Sequence, residues 1–318
     1  MLILRKVLVS FFSFLFILVG CQDNVSEDDV KETNDHTVDE HVLTDAMGNE
    51  VTIPANPDRV IASYLEDYLL ALGITPVAQW AIHDGASIQD YLQEDLKDVP
   101  TIPYDLPFEV VTSFSPDLLI MSSADMVEGE KYEQYSKIAP TYVLDLENNS
   151  DWREKLLKIG EVFDKQDEAE KVLVTYDEKA KESKQLLKDS MGNQSVAAIW
   201  LVNNTFFIVS DKVSSGVVLY DDLGLEKPNV VEEISTTATD NWSEISLEKL
   251  AELDADHLFL VNSDKGNGAK MLEDPIWKDI PAVKKGQIYE YEADSAWLYS
   301  GPIANTQIID DVMTSLIK

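Results

Sequence analysis

Short aliphatic and β-branched runs alternate with amphipathic stretches from residue 42 onward, which is the hydrophobic pattern of an α/β fold. The runs predict strands over residues 60–63, 116–121, 141–146, 196–202, 206–209, 257–261 and 287–291. The amphipathic stretches predict helices over residues 66–72, 108–113, 216–223 and 247–253, and a last helix that begins at Pro302. Gly73 and Gly224 follow two of these stretches, at positions where helices end in left-handed backbone.

Residues 164–188 predict one long helix, because the stretch has no Gly or Pro and is rich in Glu, Lys and Ala. Its apolar residues recur at helical spacing, at Ala169, Val172, Tyr176, Ala180 and Leu187. With Asp164 as the N-cap and Gly192 as the stop, the helix has about 26–28 residues and a length of roughly 40 Å. Such a helix suits either the surface of one large domain or a rigid strut between two lobes.

The length of the chain, 318 residues, suits about two domains. Since the α/β pattern resumes after the long helix, we expect an N-terminal α/β lobe over residues 42–162, a bridging helix over 163–191 and a C-terminal α/β lobe over 192–318. The two lobes also share a local pattern. Glu109 and Glu248 each stand near a predicted helix start, and eight residues after each of them an Asp opens a strand.

The first 20 residues have the order of a secretion signal: two basic residues, an apolar run over residues 7–19 and the small Gly20. The apolar run is shorter than the about 20 residues that span a bilayer. Leu18-Val19-Gly20-Cys21 resembles the lipobox of bacterial lipoproteins, in which the signal is cut before the cysteine and the thiol receives a diacylglycerol. The resemblance implies an extracytoplasmic protein anchored to the cell membrane by lipid on Cys21. The alternative is an ordinary signal peptide with a chance cysteine.

Residues 22–41 hold eight acidic residues, one lysine and almost no apolar side chain, and they predict a disordered tether after the acylated Cys21. The whole chain has 59 Asp and Glu against 25 Lys and Arg, a formal charge of −34. This charge repels nucleic acid and excludes it as a partner. A single cysteine also excludes an internal disulfide and a thiolate metal cage.

Catalytic signatures are absent from the sequence. It has no G-x-S-x-G elbow, no phosphate-binding G-x-x-x-x-G-K-[ST] loop, no H-E-x-x-H pair and no G-x-G-x-x-G after a strand. We therefore expect a binding protein and not an enzyme. An extracellular hydrolase stays the alternative from a different class.

Aromatic residues near predicted strand ends give the stronger functional signal, because the loops at strand ends form ligand crevices in α/β folds. Part of this set is expected to be ordinary core packing. The candidate ligand-binding residues are Tyr64, Trp80, Tyr104, Trp200, Asn203, Phe206, Tyr220, Trp242, Trp297 and Tyr299. Beyond the signal segment the chain has only two arginines, Arg59 and Arg153. They hardly supply a guanidinium clamp for a trianionic ligand, so a neutral or weakly cationic ligand fits better.

Six segments form an ordered set along the chain: DAMGNEVTIPANPDRVIA (45–62), LALGITPVA (70–78), FSPDLLI (114–120), IAPT (138–141), LYDDLGL (219–225) and Trp297 followed after four residues by Pro-Ile-Ala. Together they resemble the iron-siderophore and vitamin B12 class of ABC-transporter substrate-binding proteins. The likeness extends over nearly the whole mature chain.

This resemblance implies two α/β lobes bridged by a single long helix, a ligand held in the cleft between them with little hinge motion, and delivery of the ligand to a membrane permease. It also implies that Glu109 and Glu248 occupy the positions whose glutamates dock with arginines of the permease. The implied ligand is a ferric siderophore. We prefer a hydroxamate type, because Trp200 stands near where some siderophore binders have a pocket arginine. The siderophore holds the iron, so no cofactor or protein metal site is expected, and the protein is expected to be a monomer. The alternative within the family is a cobalamin or haem receptor.

Overall fold

The computed structural model describes residues 40–82, 85, 87–145, 151–238, 240–264 and 269–317. The predicted signal peptide, Cys21 and all but the last two residues of the predicted tether lie outside the described residues. The strands are β1 (His41–Thr44), β2 (Glu50–Ile53), β3 (Val60–Ile61), β4 (Gln79–Ala81), β5 (Thr101–Pro103), β6 (Leu118–Met121), β7 (Thr141–Val143), β8 (Val196–Val202), β9 (Thr205–Val209), β10 (Trp242–Glu244), β11 (His257–Asn262) and β12 (Ile288–Glu292). The α-helices are α1 (Glu66–Ala71), α2 (Gln93–Leu96), α3 (Phe108–Ser113), α4 (Lys131–Tyr135), α5 (Trp152–Val162), α6 (Gln166–Met191), α7 (Asn229–Ser235), α8 (Leu247–Leu250), α9 (Pro275–Asp279), α10 (Pro281–Lys284) and α11 (Pro302–Leu316).

The order of these elements confirms the predicted α/β fold. Helix α3 and strand β8 have the bounds that the hydrophobic pattern predicts. Strand β7 ends at Val143, before the predicted end of this strand at residue 146. Residues 217–222, where the pattern predicts an α-helix, form a π-helix over Val217–Asp222, and the apolar spacing does not distinguish the two.

The N-terminal half of the described chain contains three small sheets. Strands β3, β6 and β7 form a parallel sheet in that order, in which Val60 is opposite Leu118 and Leu119 is opposite Thr141. All four residues of β6 are buried, as expected for the central strand of a parallel sheet that is covered on both faces. Strands β4 and β5 pair in parallel, and β1 and β2 form an antiparallel hairpin.

The C-terminal half contains one mixed sheet of five strands in the order β10-β9-β8-β11-β12. Strands β8, β11 and β12 are parallel, whereas β9 runs antiparallel to β8 and to β10. Every residue of β11 is buried, as expected for an interior strand with a parallel neighbour on each side, β8 and β12. The turn between β8 and β9 contains Asn203 and Asn204, both in left-handed backbone.

Helix α6 has 26 residues and confirms the prediction of one long helix between the two halves of the sequence. It begins one residue later than an N-cap at Asp164 would give, because Asp164 adopts a left-handed backbone with φ of 53° in the preceding turn. It ends at Gly192, whose φ of 61° stops the helix as predicted. The buried face of α6 includes four of the five apolar positions that define the periodicity; the fifth, Val172, is half-buried.

The division into two separate lobes at residues 162 and 192 stays a prediction. The described residues belong to one compact unit, and one core cluster contains side chains from both halves, for example Leu69 with Ile199 and Phe259. A second core cluster lies within the N-terminal half and includes Ile102 and Tyr135.

The repeated Asp of the sequence pattern has the same role in both halves. The carboxylate of Asp117, one residue before β6, accepts the backbone N–H of Arg59 at 3.0 Å, one residue before the neighbouring strand β3. The carboxylate of Asp256, one residue before β11, accepts the backbone N–H of Ser195 at 3.1 Å, one residue before the neighbouring strand β8. Each Asp thus fixes the start of an adjacent parallel strand.

The first turn of the last helix, α11, is capped by a side chain from the N-terminal half. The buried carboxylate of Asp67, on α1, accepts the backbone N–H groups of Ile303 at 2.9 Å and Ala304 at 2.8 Å. The hydroxyl of Tyr91 donates to the same carboxylate at 2.9 Å. Because the first N–H groups of a helix have no partner within it, this carboxylate replaces a local N-cap. We call this set of contacts the Asp67 cap.

Candidate functional site

A cavity of about 620 Å³ lies between the two halves of the chain. Its wall on the N-terminal side comes from residues that follow parallel strands. Tyr64 follows β3, Ser122 follows β6, and helix α5 comes after β7. The carboxyl ends of β3, β6 and β7 meet at one edge of their sheet, which is where α/β folds place ligand sites.

The opposite wall comes from two segments of the C-terminal half. Residues 212–214 follow β9, and residues 298–300 lie between β12 and α11. The hydroxyl of Ser214 donates to the backbone oxygen of Tyr299 at 3.2 Å and joins the two segments. The lining residues are Tyr64, Leu65, Tyr68, Ser122, Asp151, Trp152, Lys155, Lys212, Val213, Ser214, Val217, Ala238, Asn241, Leu298, Tyr299 and Ser300. We call this cavity the cleft.

Four rings form an aromatic cluster at the cleft, Tyr64, Trp80, Tyr91 and Tyr299. The ring centroid of Tyr64 lies 5.0 Å from that of Trp80 and 6.2 Å from that of Tyr299, and Tyr91 lies 4.9 Å from Tyr299. The hydroxyl of Tyr299 donates to the backbone oxygen of Ile88 at 3.2 Å, so this residue of the C-terminal half is anchored in the N-terminal half. The cluster presents a fixed aromatic surface to a ligand.

Trp152 begins helix α5 and lines the cleft with a side chain that is 4% exposed. Its ring meets Tyr176 of helix α6 edge-on, with centroids 4.8 Å apart. Among the described residues its indole Nε1 has no hydrogen-bond partner. A buried donor without a partner costs free energy, so this N–H is available to a ligand acceptor.

Among the described lining residues, three side chains are charged, and two of these are lysines. Lys155 on α5 is 8% exposed, and burial lowers its pKa below the ordinary value, although Asp145 acts in the opposite direction. Lys212 is exposed at the other wall. Asp151 caps α5 by accepting the backbone N–H of Arg153 at 2.7 Å. Lysines therefore outnumber acidic side chains in the part of the lining that the structure describes.

Glu66 directly follows the lining residue Leu65 in the sequence and is fully buried. Its Oε1 accepts the backbone N–H of Trp80 at 2.7 Å, while its Oε2 has no partner among the described residues. Burial raises the pKa of this carboxyl to about 7, against hydrogen bonds that lower it. Glu66 thus holds the strand that carries Trp80 beside Tyr64.

The structure brings part of the sequence-predicted set to the cleft. Tyr64 and Tyr299 line it, and Trp80 contacts Tyr64 in the aromatic cluster. Tyr104 lies just after β5 with 59% of its surface exposed, outside the lining.

Trp200 and Trp242 lie on the five-stranded sheet and contact each other, with ring centroids 6.1 Å apart. The Nε1 of Trp200 donates to the hydroxyl of Ser263 at 2.8 Å. The backbone N–H of Asn203 donates to Asp264 at 2.7 Å, so its turn is held by a local contact. These three predicted residues are outside the lining, although Asn241, beside Trp242, is part of it.

Phe206, Tyr220 and Trp297 are core residues, which corrects the expectation that they face a ligand. Phe206 stacks on Trp277 at 5.0 Å with an interplanar angle of 7°. The hydroxyl of Tyr220 donates to the backbone oxygen of Val196 at 3.1 Å. Trp297 is fully buried, and its Nε1 donates to Asp311 at 2.9 Å. Large rings with satisfied polar atoms gain most from burial in the core.

Neither Arg59 nor Arg153 lines the cleft. The guanidinium of Arg59 donates to the backbone oxygens of Phe114 and Ser115. The guanidinium of Arg153 pairs with Asp177 at 3.1 Å and Asp222 at 2.9 Å, both away from the lining. The lining residues that the structure describes therefore include no guanidinium group.

Sequence reasoning missed most of the polar lining. The missed residues that carry polar atoms are Tyr68, Ser122, Asp151, Trp152, Lys155, Lys212, Ser214, Asn241 and Ser300. Two of them carried a usable signal. Ser122 directly follows the predicted strand over residues 116–121, and Trp152 begins the helix after the next strand, both at carboxyl strand ends.

A second concave region of about 640 Å³ lies between α1, α6 and α11. Its lining includes the aliphatic side chains of Leu72, Val172 and Ile303 and the charged side chains of Glu168 and Lys171. The cleft is the better ligand site, because aromatic rings, hydroxyls and charged groups from both halves converge there.

Residues 62–295 match the family described as Periplasmic binding protein. The chain belongs to this family. The match extends over most of the described residues. It includes every lining residue of the cleft except Leu298, Tyr299 and Ser300. The family is one of binding proteins and not of enzymes, in agreement with the missing catalytic signatures.

Full-length relatives and a solved structure agree with the family. The probable siderophore-binding lipoprotein YfiY of Bacillus subtilis is 29% identical over 330 residues, covering 98% of this chain and 98% of the relative. The iron(3+)-hydroxamate-binding protein FhuD of Bacillus subtilis is 26% identical over 322 residues, covering 99% of each. A FhuD fold-family structure from Bacillus subtilis, described as a periplasmic binding protein component of a Fep/Fec-like ferrichrome ABC transporter, matches with a TM-score of 0.72. That match has 24% identity over 87% of this chain and 100% of that one, and it shows the shared fold.

In this periplasmic binding protein, Glu109 and Glu248 are exposed, and each lies in the first turn of a short helix, α3 or α8. Acidic side chains at that position are stabilised by the helix dipole. No helix within the described ranges has the length and apolar character needed to cross a membrane. The same residues contain no group of three or more His, Cys, Asp and Glu side chains that could hold a metal ion.

Proposed function

We propose that this chain is the substrate-binding component of an ABC siderophore importer and that it holds a ferric siderophore of the hydroxamate type in the cleft. The observation that carries the proposal is the cleft itself, a cavity of about 620 Å³ lined by Tyr64, Trp152 and Tyr299 together with hydroxyl donors. Its volume lies within the range of small-molecule sites, about 300–1,000 Å³. The names of the siderophore-binding and hydroxamate-binding relatives support the ligand class.

The described residues of the cleft lining include no arginine, which supports a hydroxamate over a catecholate or citrate chelate. Trianionic chelates favour planar guanidinium groups that bind two oxygens at once. A ferric trihydroxamate has no net charge at its metal centre, and its aliphatic backbone packs on aromatic rings. The indole N–H of Trp152, which has no partner among the described residues, is a donor for hydroxamate oxygens.

The proposal includes the two-lobe arrangement, with α6 as the strut between lobes over residues 42–162 and 192–318. Two observations support little hinge motion. Helix α6 is long and buries one face, and the Asp67 cap fixes the start of α11 to α1 at a second place. A ligand then binds a largely preformed cleft.

Delivery to the permease is assigned to Glu109 and Glu248, which we propose dock with arginines of the permease subunits. Both carboxylates are exposed, and they occupy matching places relative to Asp117 and Asp256 in the two halves. We further propose that lipid on Cys21 anchors the protein, as a monomer, to the outer face of the cell membrane. The word lipoprotein in the name of one relative supports the anchor.

Titration of the purified protein with ferrichrome and with a ferrioxamine, followed by tryptophan fluorescence and native mass spectrometry, tests the proposed ligand. We expect quenching that saturates at one ferric complex per chain, because Trp80 and Trp152 lie at the cleft. Quenching by a ferric catecholate alone would overturn the hydroxamate type. A visible-spectrum shift with cobalamin or haem, without binding of any ferric siderophore, would overturn the siderophore function. Recovery of a cleaved siderophore would favour the hydrolase.

A further inference from the structure

A second ring lies behind each of two tyrosines of the cleft, Tyr64 and Tyr299. The ring centroid of Trp80 lies 5.0 Å from that of Tyr64, and the ring centroid of Tyr91 lies 4.9 Å from that of Tyr299. Tyr64 and Tyr299 belong to the described lining of the cleft, whereas Trp80 and Tyr91 lie outside it. The positions of the two outer rings therefore limit where the two cleft tyrosines can lie.

The backbone of Tyr64 is strained. Tyr64 is the third residue of a turn over residues 62–65, in which the N–H of Leu65 donates to the backbone oxygen of Ala62 at 3.0 Å. Its φ is 65°, in the left-handed region that favours glycine. A tyrosine in this region costs free energy and stays there only when neighbouring groups hold it. The place of the Tyr64 ring thus depends on the residues around this turn.

Glu66 holds the ring behind Tyr64. Its side chain is fully buried, and its Oε1 accepts the backbone N–H of Trp80 at 2.7 Å. Its Oε2 has no partner among the described residues, and burial raises the pKa of this carboxyl to about 7. A buried carboxyl with an unpaired oxygen lowers the stability of the fold. Such a cost beside a ligand site is typical of a residue that serves the site.

Asp67, the next residue of α1, holds the ring behind Tyr299. Its buried carboxylate accepts the hydroxyl of Tyr91 at 2.9 Å, and in the Asp67 cap it also accepts the first N–H groups of α11. Tyr299 lies three residues before α11. The same carboxylate therefore fixes both the ring that Tyr299 packs against and the helix that follows Tyr299.

From these contacts we infer that Glu66 and Asp67 are positioning residues of the ligand site, and that each acts on the bound siderophore through the ring that it holds. This inference rests on the proposed function and deepens it. Because the two acids are adjacent on α1, one helical turn fixes the aromatic surfaces of both halves of the chain. A surface that is fixed before binding spares the ligand the free-energy cost of ordering it.

Titration calorimetry with ferrichrome tests the role of Glu66. Glu66→Met removes the acceptor for the N–H of Trp80 and should weaken binding about tenfold, whereas Glu66→Gln keeps an acceptor oxygen and should stay within about threefold of the parent. Glu66→Asp, which is one methylene shorter, should also weaken binding and replaces Glu66→Met if that variant does not fold. Unchanged affinity in the variants that lose the acceptor would overturn the role of Glu66.

Asp45→Ala is the matched control for a purely structural effect. Asp45 is a buried carboxylate outside the cleft lining, and it accepts the backbone N–H groups of Met47 at 2.9 Å and Asn49 at 2.8 Å. This variant should unfold at lower urea concentration while its affinity for ferrichrome stays within about twofold of the parent. An equal loss of affinity in Asp45→Ala and Glu66→Met would contradict positioning by Glu66.

Tyr91→Phe tests the role of Asp67, because it removes the hydroxyl that Asp67 accepts and leaves the ring and the Asp67 cap in place. We expect the affinity for ferrichrome to fall about threefold. Tyr135→Phe is the control, since it removes a hydroxyl that donates to the backbone oxygen of Leu106 at 2.7 Å in the second core cluster, and it should keep the parent affinity. Equal affinities of Tyr91→Phe and the parent would overturn the role of Asp67.

The parent protein separates this inference from the proposed function. If the parent binds ferrichrome and neither Glu66→Met nor Tyr91→Phe changes its affinity, the positioning roles fail and the siderophore function stands. If the parent binds no ferric siderophore, the proposed function and the positioning roles fail together.

Discussion

Gly301 lies against the side chain of Asp67 so closely that a Cβ atom on Gly301 would stand 2.5 Å from the carboxyl carbon. The glycine directly precedes α11, and the aspartate accepts the first N–H groups of that helix. A side chain at residue 301 would push the carboxylate away from its donors. The two residues, from opposite halves of the chain, therefore form one structural unit.

Gly301→Ala is expected to lower the free energy of unfolding by about 1–3 kcal/mol, the usual cost of overpacking a filled site. Urea unfolding followed by circular dichroism measures the change. Gly192→Ala is the matched control, because Gly192 also has positive φ but no heavy atom within 4 Å of an added Cβ. It should cost only about 1 kcal/mol of backbone strain. When Asp67 is already replaced by alanine, Gly301→Ala should lower the free energy of unfolding by less than it does in the parent protein. Equal decreases in the two proteins would contradict the contact between Asp67 and Gly301.

Asp67→Ala is expected to destabilise the protein by about 2–4 kcal/mol, because it leaves two buried N–H groups of α11 without an acceptor. The same urea experiment measures it. Asp95→Ala removes an exposed acid from helix α2 and should change the stability by less than about 0.5 kcal/mol. Equal effects of the two substitutions would show that the cap contributes nothing.

Glu66→Gln is expected to change how stability depends on pH. The pKa of Glu66 is raised to about 7 by burial, so the folded protein keeps a proton that the unfolded chain releases above its ordinary pKa of 4.5. This group therefore lowers stability as pH rises. The variant should gain about 2 kcal/mol relative to the parent between about pH 5.5 and about pH 8. Parallel stability curves for the two proteins over this range would contradict the raised pKa.

Tyr64→Ala is expected to weaken binding of a ferric hydroxamate about tenfold, which corresponds to the loss of one aromatic contact of about 1.4 kcal/mol. Fluorescence titration measures the affinity. Tyr104→Ala is the control, because this tyrosine is also exposed in the N-terminal half but lies outside the cleft lining. If the two variants lose affinity to the same extent, the ligand does not lie on the aromatic cluster.

Glu109→Ala combined with Glu248→Ala should leave ligand affinity unchanged and abolish uptake of the ferric complex into cells. The carboxylates are exposed and lie outside the cleft lining, so their loss affects docking and not the ligand site. A double variant of two other exposed first-turn acids, Glu133→Ala with Glu232→Ala, controls for lost charge. Normal uptake of the ferric complex by cells with the Glu109→Ala and Glu248→Ala double variant would refute the docking role.

The elements of this protein could be predicted from the sequence wherever the signal is local. Gly73, Gly192 and Gly224 end their helices or turns in left-handed backbone as expected, and the 26-residue α6 follows from its composition and periodicity. The start of α6 differs because Asp164 takes part in the preceding turn instead of capping the helix. A cap supplied from another part of the chain, such as Asp67 for α11, leaves no local signal.

The site was harder to predict, because burial of an aromatic residue depends on tertiary packing. Trp297 and Tyr299 are two residues apart, yet the first fills the core and the second lines the cleft. Asn203 directly follows the carboxyl end of β8. In α/β folds, ligand sites lie at the carboxyl ends of parallel strands. The cleft wall instead follows the far end of β9, which runs antiparallel to β8. That reversal of direction is invisible in a pattern of hydrophobic runs.

The Asp67 cap also sets a limit on the order in which this protein acquires its structure. Two partners separated by 237 residues must meet before α1 and α11 are both complete. Contacts of such long sequence separation form slowly. The first turn of α11 therefore gains its acceptor only after nearly the whole chain has left the ribosome.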